Sequence, residues 1–259
     1  ALTMTATASP AYGTVDQTRT LTLTGTNTAN NTFAANIADN GTGAVSLTKS
    51  GTGAWVLSGT NVYTGATTVS GGALILSGAS SIPGGIGTSG GTSPIVFNGG
   101  VIGLGAGDFT RSLNTPATAT AANFTGAGGW AAYGADRQVN LGGAAATITW
   151  GTANTGFNGQ SLLLGYSTAT HNVTLVNPLD LGTALRTVQV ADGAAATDAT
   201  LSGDLSSGAG GGITKTGTGV LSLTGSNSYA GATTVNAGVL RLDSANAVPG
   251  GIGSSGGTS

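Results

Sequence analysis

Aliphatic residues recur at every second position in short runs along the whole chain. Leu21 and Leu23 alternate with Thr20, Thr22 and Thr24, and Leu221 and Leu223 alternate with Val220, Ser222 and Thr224. Val173 with Leu175 and Val188 with Val190 follow the same pattern. A period of two belongs to a strand with one buried face. Arg241 stands between Leu240 and Leu242, so the charge faces outward and the leucines inward; the same rule puts Leu74 and Leu76 inside and Ile75 outside. Corners at Gly59-Thr60-Asn61, Gly65-Ala66, Gly225-Ser226-Asn227 and Gly231-Ala232 separate the runs. Helical periodicity is absent, and the Ala-rich stretches 117–122 and 194–196 lack the Leu and charges that anchor a helix. The pattern predicts an all-β chain of short strands.

Composition narrows the architecture. Of 259 residues, 48 are Gly, 43 Thr and 39 Ala, half the chain, and only 6% are charged, against roughly 25% in an ordinary domain. Small residues limit core volume, and 5% aromatic content is poor for a sandwich core. A membrane barrel calls for an apolar outer face with aromatic girdles, but the outward positions here are Thr, Ser and Asn. A coiled solenoid suits the chain best, with one or two aliphatic side chains per strand filling a narrow interior. At roughly 20–25 residues per coil it has about ten to twelve coils, and ~4.8 Å per strand makes a rod of roughly 50–60 Å.

One internal repeat stands out. Residues 47–93 align without a gap to 213–259, at an offset of 166, with 28 identities in 47 positions. Ser93 aligns with Ser259, so 94–259 reads as one complete unit and 1–93 as the C-terminal part of a preceding unit, both within a single solenoid. No signal peptide is recognisable.

The repeated residues resemble a known family. Lys49, Gly51, Gly53, Asn61, Tyr63, Gly65, Thr67, Gly72 and Leu74 recur as Lys215, Gly217, Gly219, Asn227, Tyr229, Gly231, Thr233, Gly238 and Leu240. This spacing, present twice, resembles the autotransporter-associated β-strand repeat, also called the passenger-associated transport repeat. The resemblance implies a right-handed parallel β-helix on a secreted or surface-displayed bacterial protein. It implies no catalytic residues, and folding outside the membrane that favours one-way export.

The residues carry little chemistry beside this. Lys49 and Lys215 are the only lysines and read as turn residues with the stem on apolar surface and the head in water. Asn61 and Asn227 read as corner supports, Tyr63 and Tyr229 as lids on a coil. His171 is the lone histidine, with Asp180 a candidate partner; Asp192, Asp198 and Asp204 are the closest carboxylates. No Cys and no Glu are present, which leaves a poor ligand set for a metal, and neither a catalytic site nor a cofactor is expected. Thr20-Leu21-Thr22-Leu23-Thr24 does not recur at a short fixed period, as an ice-ordering ladder requires. A net charge of −2 gives no basic face for nucleic acid, and no run of 18 apolar residues supplies a membrane-spanning helix.

The expected role is a non-enzymatic rod, stalk or fibre segment at the bacterial outer surface or outside the cell. Its partners are neighbouring repeat units. An adhesin that contacts glycans or cells is the alternative, and a binder should gather Phe109, Trp130, Tyr133, Trp150 and Tyr166 on one exposed patch. End-to-end self-association into filaments is a further expectation, because a solenoid end is an open edge.

Overall fold

A computed structural model describes residues 1–5, 8–87, 93–114, 121–152, 156–208 and 210–251. The end of the second repeat copy, 252–259, and positions 117–120 of the first Ala-rich stretch lie outside the described residues. Among those described, every strand–strand pairing is parallel, and no helix is present. The strands form a parallel β-helix with one continuous sheet of ten strands, which runs from Thr3–Met4 to Thr233–Val235. Ten rungs match the expected coil number, but coil length is less regular than expected. One coil carries the chain from Val56 to its partner Ile75, while a far longer one carries it from Trp130 to Leu164.

The other sheets lie on the flanking sides. In the first half, strands such as Arg19–Leu23, Val45–Lys49, Thr67–Val69 and Ile95–Phe97 make a six-stranded sheet most of whose members precede long-sheet strands along the chain. In the second half a rung runs from the long sheet to a five-stranded third sheet, and most rungs continue to a three-stranded fourth. The third holds Val173–Leu175, Ala199–Leu201, Val220–Leu223 and Val239–Leu242, among others.

The alternation seen in the sequence is the packing rule. Leu47, Leu57, Leu74, Val173, Leu175, Val188, Val190, Leu221 and Leu223 are fully buried in one continuous core. Each rung stacks its aliphatic side chain on that of the next, so the core is narrow and as long as the rod. One stretch of the core is aromatic. Phe97, Phe124, Trp130 and Phe109 pack with centroids 4.6–5.9 Å apart, and Phe157 and Trp150 extend the chain of rings.

Two expectations of outward exposure are corrected. Ile75 does point away from the core, yet it is only 3% exposed. A strap, residues 165–171, lies across the outer face of the long sheet, where Tyr133, Tyr166 and Ala169 pack on Ile75, Val101 and Ala131. Gly103 makes room for the Tyr133 ring, since a Cβ there would meet Tyr133 and Ile75 at 2.8 Å. The Tyr133 hydroxyl bonds Thr168 Oγ1 at 3.0 Å, and the Tyr166 hydroxyl donates to the Thr52 carbonyl. Ser222, read as outward, is buried at 3% and donates to Asp243.

The two copies of the repeat do not sit on the same side of the rod. In the first, Val45–Lys49 and Thr67–Val69 lie in the six-stranded sheet, and Ala54–Leu57 and Ala73–Leu76 in the long sheet. In the second, the equivalent Gly212–Thr216 and Thr233–Val235 lie in the long sheet, and Val220–Leu223 and Val239–Leu242 in the third. The local pairing is identical: Lys49 stands opposite Val69, and Lys215 opposite Val235. The whole module is rotated by one side. From Val45–Lys49 the chain crosses to Ala54–Leu57, and six steps along the long sheet then lead to Gly212–Thr216.

Candidate functional site

The repeated polar residues are all internal fastenings. Lys49 and Lys215 are both 0% exposed, which corrects the expectation of a head in water. Lys49 Nζ donates to the carbonyls of Ser50 at 2.8 Å, Gly51 at 2.9 Å and Gly71 at 2.8 Å. Lys215 Nζ repeats the cage with Thr216 at 2.9 Å, Gly217 at 2.7 Å and Ala237 at 3.0 Å. An ammonium has three donors and no acceptor, so each cage satisfies it fully. The cage explains two of the motif glycines. Gly72 and Gly238 have φ of +60° and +68°, and a Cβ at either would approach the ammonium to 2.7 Å.

Asn61 and Asn227 tie three successive rungs together. Asn61 Oδ1 accepts from the Ile37 amide at 2.7 Å, and its Nδ2 donates to the Ser81 carbonyl at 2.6 Å. Asn227 makes the same pair with the Leu205 amide at 2.8 Å and the Ala247 carbonyl at 2.6 Å. Tyr63 and Tyr229 are buried, with hydroxyls on Thr67 at 2.7 Å and Thr233 at 2.5 Å. Gly65 and Gly231 let backbones touch, because a Cβ would meet the carbonyl oxygens of Val45 at 2.4 Å and Gly210 at 2.5 Å. Burial pushes the Lys49 ammonium down to about 8 and lowers Lys215, against which Asp198 acts. It raises both tyrosine hydroxyls, although the threonine bonds oppose it.

Sequence reasoning missed another fastening. Arg111 is fully buried, and its guanidinium donates to the carbonyls of Pro83 at 2.9 Å, Ser93 at 2.7 Å and Gly85. It locks the turn at 83–85, near the end of the first copy. A cation beside Phe109 in a chain with so few charges was the available signal, but no spacing rule ties it to a turn one coil earlier.

The other candidates are dispersed. His171 Nδ1 lies 2.8 Å from Thr170 Oγ1, and Asp180 accepts from the Gly182 amide, so the two do not pair. Asp198 is buried and accepts from the amides of Gly193 and Val220; Asp204 accepts from that of Ser226. These carboxylates support turns. No group of three His, Cys, Asp or Glu suited to a metal exists among the described residues. A 390 Å³ surface cavity joins His171 with Asp136 and Thr197, but Asp136 is bonded to the Asn172 amide. A 590 Å³ cleft beside Val62 and Ile86 has no charged lining. The aromatic patch required of a glycan binder is not formed: Phe109, Trp130, Tyr133 and Trp150 are 0–8% exposed, and Tyr166 is spent on the strap.

Among the described residues no helix is long and apolar enough to cross a membrane. Residues 47–76 and 213–242 each match the family described as passenger-associated transport repeat. A 72-residue stretch, 28% of this chain, is 39% identical to the adhesin BmaC autotransporter of Brucella suis biovar 1 (strain 1330), of which it spans 2%. No solved structure matches the chain. The segments that match this family, 47–76 and 213–242, are each a pair of adjacent rungs of a parallel β-helix, pinned by a caged lysine and a rung-spanning asparagine.

Proposed function

We propose that this chain is a non-enzymatic rod segment of an autotransporter passenger on the bacterial surface. The observation that carries the reading is where the repeat spends its polar residues. Lys49, Asn61, Tyr63 and their counterparts are buried, the lysines and asparagines bonded across rungs and the tyrosines to a threonine of their own coil, and the two copies face different sides of the rod. A motif kept for ligand contact would hold its side chains at the surface and in one direction. A motif kept for stacking needs neither. The repeat family and the autotransporter relative support a surface-displayed passenger.

The test is display of the chain on a translocator. Cells carrying it should present a protease-resistant rod and adhere no better than cells carrying the translocator alone. Adhesion to glycans or host cells that the chain confers by itself would favour the second reading, an adhesin module, for which the likeness to the Brucella adhesin speaks. Concentration-dependent filaments would favour the filament reading.

A further inference from the structure

The outer face of the long sheet is apolar only where the strap crosses it. Val56, Ile75, Gly103 and Ala131 stand opposite one another on successive rungs, and Ala54, Ala73, Val101 and Gly129 do the same beside them. These residues make a shallow apolar furrow. Further along, the register turns polar, with Leu163 opposite Gln189 and Gln189 opposite Thr216. The outward register of the six-stranded sheet is polar too, with Thr22, Thr48 and Thr68 in line. The strap leaves the rung Leu162–Leu164 and returns to the rung Gly128–Ala132, where the amides of Thr170 and His171 donate to the Ala132 carbonyl at 3.1 and 3.3 Å. Between those ends it reaches far back along the rod. The Tyr166 hydroxyl donates to the Thr52 carbonyl, just before Ala54–Leu57. Thr168 Oγ1 donates to Asn30 Oδ1 at 3.4 Å, just before Asn31–Phe33. These partners are 114 and 138 residues apart in sequence. The rungs Ala73–Leu76, Gly100–Leu104 and Gly128–Ala132 lie between Ala54–Leu57 and Leu162–Leu164.

In a solenoid each coil meets only the coils above and below it, so stability is a sum of neighbour terms and coils can open one at a time. The strap departs from that scheme, because it bonds to coils that its own coil does not touch. We propose that residues 165–171 are a clasp that joins the coils from Asn31–Phe33 to Leu162–Leu164 into one block that opens together. An opening that starts at Asn31–Phe33 or Ala54–Leu57 must break the strap's bonds at Asn30 and Thr52 before it spreads. One that starts at Ala73–Leu76 or Gly100–Leu104 must bare the furrow beneath Tyr133 and Ala169, which are 8% and 3% exposed. The Tyr133 hydroxyl, 3.0 Å from Thr168 Oγ1, fastens the strap to the floor it covers. All these contacts lie on the outer face, so they add to the stacking of the interior and do not substitute for it. The rungs Gly212–Thr216 and Val220–Leu223 stand outside the clasp and serve as an internal reference. The clasp concerns how the coils open, and it holds whether or not the chain is a stalk.

The experiment is amide hydrogen exchange of the full chain at rising, sub-denaturing urea. In the parent, amides at 31–33, 54–57, 73–76 and 100–104 should exchange through one common opening with one urea dependence. The double variant Tyr166→Phe, Thr168→Val removes the hydroxyls that reach Thr52, Asn30 and Tyr133 and keeps the bulk of the strap. It should speed exchange at 31–33 and 54–57 by about tenfold or more, since each lost hydrogen bond is worth up to about tenfold. Exchange at 212–216 and 220–223 should stay as in the parent. Tyr166→Ala, which also removes the ring, should split the common opening into separate ones with smaller urea dependence. If Tyr166→Ala fails to fold, the double variant decides alone. Acceleration confined to 128–132 and the strap itself would make the strap a local cover and overturn the proposal. Equal acceleration at 212–216 would make the effect global and overturn it too, as would separate openings for 31–33 and 100–104 in the parent.

Discussion

Replacing Lys49 with Met removes the ammonium and keeps the length of the side chain. Three carbonyls, on Ser50, Gly51 and Gly71, lose their donor. Charged hydrogen bonds contribute about 1.5–3 kcal/mol each, so the gross loss is about 5–9 kcal/mol. Against this stands the cost of burying an ammonium, several kcal/mol, which the variant no longer incurs. Gly51 lies at the surface and Ser50 and Gly71 are half-buried, so water can reach part of the vacated cage. The net destabilisation is about 2–3 kcal/mol. Unfolding entropy of about 2.1 cal/mol/K per residue over 259 residues converts this to a Tm lower by about 4–6 °C. Circular dichroism melting measures the shift, and hydrogen exchange should place the loosening at 45–49 and 67–69, not at the far end of the rod. Lys215→Met should cost less, because the rung that closes its cage through Ala237 is the terminal one of its sheet. A Lys49→Met protein as stable as the parent, or more stable, would show that the ammonium is a burden and not a fastening.

Three further outcomes follow from the same geometry. Both lysines are inaccessible, so an amine-reactive reagent should label only the α-amino group of the native chain, with two more labels per molecule after denaturation, read by mass spectrometry. Stability should rise with pH from about 8 toward 10, because the folded state holds the Lys49 proton less tightly than the unfolded chain. Above 10 it should fall, because burial keeps Tyr63, Tyr133 and Tyr229 protonated in the folded state only; denaturant midpoints across pH 7–11 check both slopes. Leu74→Ala should cost about 2–5 kcal/mol, since Leu74 is fully buried. Leu240→Ala should cost less than half of that, and urea unfolding compares the two.

Much of the rod was legible because a strand's inside and outside are a local, period-two property. Leu221, Leu223, Val173 and Val188 are buried, as their alternation requires. The motif residues were legible as a set, since they recur at one offset. Their chemistry was not. Nothing in Lys49-Ser50-Gly51 states that the side chain curls back onto its own turn, because the third carbonyl comes from Gly71 on the next rung. Ile75 faces outward as read, but what covers it arrives from 165–171, several coils later.

The sequence by itself determined strands, corners, interior residues and the repeat, since each depends on neighbours a few positions away. Only the tertiary structure decided which side of the rod each copy occupies. That is set by the summed length of all the coils between them, which are unequal, and a small change of length in any coil would turn the second copy about the axis. The tertiary structure also decided what seals each rung of the first copy. A rung's cover comes from whichever strand stacks next, here Ile95–Phe97 and Gly100–Leu104 on the first copy, and not from the residues of the rung itself.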